Sequence, residues 1–202
     1  MWQQFMAAVC FLSALTATVS QQWIPLTGKV KETSERTVNG KIAEVKVREG
    51  DFYRASDGST LEQWKEGGPT ALNDNTHLLS YQLDYNKKTA IAKPMPQAMG
   101  KIDVEATRRK ALGHSTVNGF ACTFVPLYFV RSPGSRTLAG TACVSEEYAT
   151  DLRTEMTVSV GNTTDHVVWE LNLTKTNQEP DRKLFEVPKD FTVLGPGDPP
   201  TH

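Results

Sequence analysis

From Leu26 onward, apolar and polar residues alternate with a period of two, in short runs punctuated by turn residues. A strand sends successive side chains to opposite faces, so this alternation predicts strands with one buried face. "GKVKETSERTVNGKIAEVKVREG" reads as a hairpin about Asn39-Gly40, because Asn-Gly accepts the positive φ of a type I′ turn. "DFYRASDGSTLEQW" repeats the theme, with Asp57-Gly58 turning the chain, and "GGPT" at 67–70 breaks it. In "HLLSYQLDYNKKTAIAKP" Leu79, Tyr81 and Leu83 share a face, the turn lies near Asn86, and Pro94 ends the run. A second Asn-Gly, Asn118-Gly119, leads into "GFACTFVPLYFVRSPGSRTLAGTAC". The final hairpin joins "RTEMTVSV" to "HVVWELNLTKT" through "GNTTD".

One segment breaks the pattern. "MPQAMGKIDVEATRRKALG" favours a short helix near 103–111, with Asp103 as its cap and Gly113 as its stop. Successive hairpins with one helix predict a mostly β, α+β domain: an antiparallel meander with helix over one face.

The ends read differently. "MWQQFMAAVCFLSALTATVS" carries no charged side chain, and Phe5 to Ala17 has the length of a signal-peptide core, too short to span a bilayer comfortably. Thr18-Val19-Ser20 supplies small residues for cleavage after Ser20, although no Lys or Arg precedes the apolar run. The expected organisation is a leader over 1–20, a single β-rich domain over 21–194, and a disordered Pro/Gly-rich tail over 195–202. The mature chain, exported to the periplasm or beyond, has no stretch long and apolar enough for a transmembrane helix.

Charge then narrows the partners. The chain of 202 residues has 22 Lys and Arg against 23 Asp and Glu, spread throughout, so no basic face for nucleic acid is expected. The histidines His77, His114 and His166 are far apart, and no nucleophile elbow or phosphate-cradling loop occurs. The expectation is a non-enzymatic protein without metal or cofactor.

Cleavage removes Cys10 and leaves Cys122 and Cys143. If Val130 pairs with Ser135, these cysteines are direct cross-strand neighbours, Leu127 faces Leu138 and Ala121 faces Val144. If Pro133-Gly134 forms the turn, Ser132 pairs with Ser135 and the cysteines become diagonal, a poorer separation for a bridge. Export to an oxidising compartment, and the lack of ligand spacing or Cys-x-x-Cys, favour a disulfide as a staple.

Two segments carry a resemblance. "LGHSTVNGFAC" at 112–122 and "EPDRKLFEVPKDFTV" at 179–193 resemble segments of exported proteins in the LolA/LppX-like lipoprotein-carrier superfamily. Over residues 27–194 the chain also resembles uncharacterised exported proteins of acidobacterial type, through "KETSE" at 31–35, "YRASDG" at 53–58 and "YQLD" at 81–84. The resemblance implies a strongly curved antiparallel sheet, an incomplete barrel, with helix on its concave side. In the carriers that hollow holds acyl chains; in related sensory domains it reads a protein or lipid. Beside it, Pro180 and Pro188 fix the path of the closing segment so that Phe185 and Phe191 tuck under the sheet edge. The strand aromatics Phe52, Trp64, Tyr81, Phe124, Tyr128 and Trp169 are expected either as core or as the lining of a hollow for a lipid or other apolar ligand. The alternative function is an envelope protein-interaction or sensing module without a small-molecule pocket.

Overall fold

The computed structural model describes residues 23–95, 111–132 and 135–195. The expected leader, the helix near 103–111 save its last residue, and the tail past Gly195 lie outside them. Twelve strands are described: β1 (Leu26–Val38), β2 (Lys41–Arg54), β3 (Thr60–Trp64), β4 (Thr70–Asp74), β5 (Leu79–Asp84), β6 (Thr89–Pro94), β7 (Gly113–Val117), β8 (Phe120–Ser132), β9 (Ser135–Ser145), β10 (Thr150–Val160), β11 (Thr163–Thr176) and β12 (Thr192–Leu194). They form one open, curved sheet in the order β12-β6-β5-β4-β3-β2-β1-β11-β10-β9-β8-β7. Every pairing is antiparallel except the short β12–β6 contact.

The order is that of two meanders sharing a seam. β1–β6 and β7–β11 each pair consecutive strands, and β1 joins them by pairing with β11 from Leu26↔Thr176 to Val38↔Thr163. The Asn39-Gly40 hairpin forms as the sequence predicts, with φ of 51° and 75°, and Asn118-Gly119, with φ of 50° and 86°, turns a second hairpin between β7 and β8. Curvature has a local cause in glycines inside strands. A Cβ on Gly140 would lie 1.8 Å from the Glu155 carbonyl oxygen, and one on Gly50 would lie 2.3 Å from that of Gln63. Neighbouring backbones close in where these side chains are missing.

Two cores result. The larger gathers Leu26, Val30, Phe52, Trp64, Leu127, Leu152, Trp169 and Leu171 with both cysteines. The smaller holds Leu61, Leu72, Leu83 and Ala90 and is capped by Leu184, Phe185, Val187 and Phe191. Those capping residues come from the closing segment, where Arg182–Phe185 make a 3-10 turn capped by the Asp181 carboxylate on the Lys183 amide. The seating of Phe185 and Phe191 is therefore as the prolines suggested. The "YRASDG" turn has its own reason: Arg54, buried at the end of β2, donates to the carbonyls of Ile24, Tyr148 and Ala149. It ties β2 to the β9–β10 turn. Burial without a carboxylate partner lowers its guanidinium to about 10.

The cysteines are bridged, with Cα atoms 5.3 Å apart, but not in the register that places them face to face. Phe124 opposes Cys143, Thr123 opposes Val144, Leu127 opposes Gly140 and Ser132 opposes Ser135. This corrects the expectations that Leu127 faces Leu138, that Ala121 faces Val144, and that a diagonal pair is poorly placed to bridge. The two registers differ by an even slide, so both cysteines keep the same side of the sheet in either. Twist makes the two diagonals of an antiparallel pair unequal, and the shorter one here falls within disulfide range.

Candidate functional site

Directly opposed residues share a face, so the register defines what each side of the sheet presents. Arg48 opposes Glu32, Glu32 opposes Trp169, and Trp169 opposes Thr154. The next row on the same face runs Trp64, Gly50, Val30, Leu171. The row after that runs Ile91, Gln82, Ala71, Glu62, Phe52, Gly28, Leu173. Phe52, Trp64 and Trp169 thus occupy adjacent rows of one face. Phe52 meets Trp169 edge-to-face at 6.3 Å between centroids.

Polar groups hold these rings. The Trp169 indole N–H donates to Glu62 Oε2 at 3.2 Å. The Arg48 guanidinium carbon lies 4.2 Å from the Trp64 ring centroid, and the Arg48 Nε and Nη2 donate to Glu32 Oε1 at 3.2 and 2.9 Å. Burial raises the Glu32 carboxyl above its ordinary value, against the pull of Arg48. A buried ion pair of this kind fixes geometry more than it adds stability. The Thr154 hydroxyl, opposite Trp169, is buried with no hydrogen-bond partner.

Beside this face lies a cleft of about 670 Å³. Trp64, Tyr85, Ile91 and Leu194 supply its apolar walls, and Gln82, Asp84, Thr89, Lys65 and Lys87 its polar ones. Trp64 belongs to both the large core and the cleft, and Ile91 and Gln82 continue the Phe52 row into it. Tyr85 stacks edge-to-face on Phe191 at 5.1 Å, so the closing segment supports this wall. Its lining mixes apolar and polar side chains in about equal measure, which suits an amphiphile better than a purely apolar molecule.

The remaining expected lining residues go elsewhere. Tyr81 opposes Leu72, which opposes Leu61, and so stands on the other face, against the smaller core. Phe124 packs on the large core from β8, and Tyr128, half-buried, opposes Leu138. Neither lines the cleft. The residues not singled out from the sequence are Arg48, Glu32 and Glu62. Glu32 carried a signal: it continues the inward set Leu26, Gly28, Val30, so its charge falls on the buried face.

Another acid lies near the disulfide. Leu152 is left without a partner between Asp151↔Val144 and Arg153↔Cys143, and the bulge buries both Asp151 and Leu152. Neither Asp151 oxygen has a hydrogen-bond partner, and burial pushes its carboxyl up to about 7. His77 pairs with Asp74 and His166 with Glu155. Among the described residues no group of three or more His, Cys, Asp or Glu side chains is placed to hold a metal ion. No described helix is long and apolar enough to cross a membrane.

No family model matches the chain, and no curated protein matches it. Solved structures similar to it include an uncharacterized conserved protein from Thermus thermophilus, at 13% identity and a TM-score of 0.47 over 83% of this chain and 90% of that one. The Pseudomonas aeruginosa MucA/MucB complex matches at 12% identity and a TM-score of 0.42, over 83% of this chain and 58% of that one. A LolA superfamily protein from Nitrosomonas europaea matches at 8% identity and a TM-score of 0.35, over 91% of this chain and 96% of that one. At these scores they carry no argument about activity, and none bears on the acidobacterial-type resemblance.

Proposed function

We propose that this chain is an exported, non-enzymatic binding domain that holds a lipid or other apolar ligand, with the ligand's polar end at the margin of the cleft. One observation carries the reading: Phe52, Trp64 and Trp169 stand in adjacent rows of one face of a curved sheet, and Trp64 also walls a cleft of about 670 Å³. Glu62 holds Trp169 and the Arg48–Glu32 pair holds Trp64, and of the three buried rings Trp64 is the one that reaches the cleft, which is thereby preorganised. The disulfide agrees with export, after cleavage near Ser20.

The test is the mass of the protein recovered from the periplasm under native conditions. A bound lipid-sized mass, released by organic extraction and reduced in Trp64→Ala, supports the reading. The alternative, a protein-interaction or sensing module of the same fold, predicts an apo mass and no uptake of added lipid.

A further inference from the structure

The β2 strand is much longer than its outer neighbour. β3 pairs with it only over Gly50–Arg54, and a last bond from the Lys65 amide to the Glu49 carbonyl, 2.9 Å, ends the ladder. Among the described residues, Lys41–Val47 have no strand on that side. Ile42, Val45 and Val47 are respectively 64%, 57% and 47% exposed along this edge. An open edge of this kind is a template for another strand.

The bonding pattern says which groups are on offer. Glu49 directs its carbonyl outward to Lys65, and backbone groups alternate sides along a strand, so Val47 and Val45 direct theirs outward as well. We propose that this edge pairs antiparallel with the same edge of a second copy of the chain, about a twofold axis at Val45. In that register Val45 opposes Val45, so the outward groups of both copies meet. Glu44 opposes Lys46 in both directions, and Ala43 opposes Val47.

Charge selects this register among those that keep outward groups paired. A slide one way sets Lys46 against Lys46, and a slide the other way sets Glu44 against Glu44; like charges directly opposed are unfavourable. Glu44 and Lys46 already meet within one copy at 2.7 Å, so in the dimer each carboxylate lies between two ammonium groups. The β1–β2 bulge leaves Ala43 without a β1 partner and bends the edge there, which sets the end of the run. The interface is isologous, as a twofold dimer requires.

Sedimentation velocity on the mature protein across a concentration series tests this. Wild type sediments as a dimer. Lys46→Glu and Glu44→Lys, both at surface positions, each raise the dimer Kd by about tenfold or more while leaving the circular dichroism spectrum unchanged. An equimolar mixture of the two variants regains the dimer, because the all-acidic edge of one variant then opposes the all-basic edge of the other. A wild type that stays monomeric at every concentration overturns the proposal. So does a dimer that either single variant leaves intact, or a mixture that stays monomeric although both variants are folded.

Discussion

Arg182 donates to Asp57 at 2.6 Å, and the Ser56 amide donates to Glu179 Oε2 at 3.1 Å. The "YRASDG" turn and the "EPDRKLF" segment, distant in sequence, are therefore in contact. Burial pushes the Asp57 carboxyl up, but hydrogen bonds from Ser59 and Arg182 bring it below its ordinary value. The pair is largely exposed, so Arg182→Ala is expected to cost less than about 1 kcal/mol. Phe185→Ala removes a cap from the smaller core and is expected to cost about 2–3 kcal/mol. Urea unfolding of both variants checks the order.

Arg54→Lys tests the other half of the same turn. Lysine keeps the charge but cannot present a planar fork to the Ile24, Tyr148 and Ala149 carbonyls. The expected loss is about 2–3 kcal/mol by denaturant unfolding, far more than for an exposed Arg-to-Lys exchange.

Protein recovered from the periplasm should contain no alkylatable thiol at Cys122 or Cys143 until it is reduced. The double Cys→Ser variant should fold and melt at a lower temperature. The chain-entropy model puts the loss at about 3 kcal/mol, less any structure that persists in the unfolded chain. Mass shifts on alkylation with and without reductant decide the first point, and a thermal melt the second.

Asp151 predicts a pH dependence with a definite sign. Its folded carboxyl titrates at about 7, above the ordinary 3.8, so the folded state holds the proton over the interval between. Stability from this group is fully present below about pH 4, falls as pH rises, and is lowest above about pH 7. The span is on the order of 4 kcal/mol. Asp151→Asn should remove that slope and be the more stable protein at pH 8. Denaturant unfolding from pH 4 to 8 measures it; equal slopes for the two proteins would contradict the assignment.

Much of the sheet was legible because it rests on local chemistry. Asn39-Gly40 and Asn118-Gly119 fix hairpins through two φ angles each, and period-two alternation marks which of Leu26, Val30 and Phe52 point inward. The β8–β9 register was not decided, because Val130↔Ser135 and Ser132↔Ser135 both satisfy the apolar pattern. Asp151 was hidden by a bulge, which breaks the alternation from which burial is inferred. The site was legible in part. Phe52 and Trp64 share a face through the β2–β3 hairpin, but Trp169 joins them only through β1–β11, a pairing between strands distant in sequence. Tyr81 shares their residue class but falls on the other face by a single-residue parity accumulated over the β2–β3, β3–β4 and β4–β5 registers.

The proposed function is binding of an amphiphile at the Trp64 wall of the cleft. Native mass spectrometry of delipidated mature protein, titrated with a single phospholipid below its critical micelle concentration, tests it most directly. The expected result is a saturable complex in wild type, with an affinity at least about tenfold weaker in Trp64→Ala, as for a lost aromatic contact of about 1.4 kcal/mol or more. Tyr81→Ala, on the opposite face, should retain binding. A wild type that forms no complex, or one that Trp64→Ala leaves unchanged, would contradict the claim.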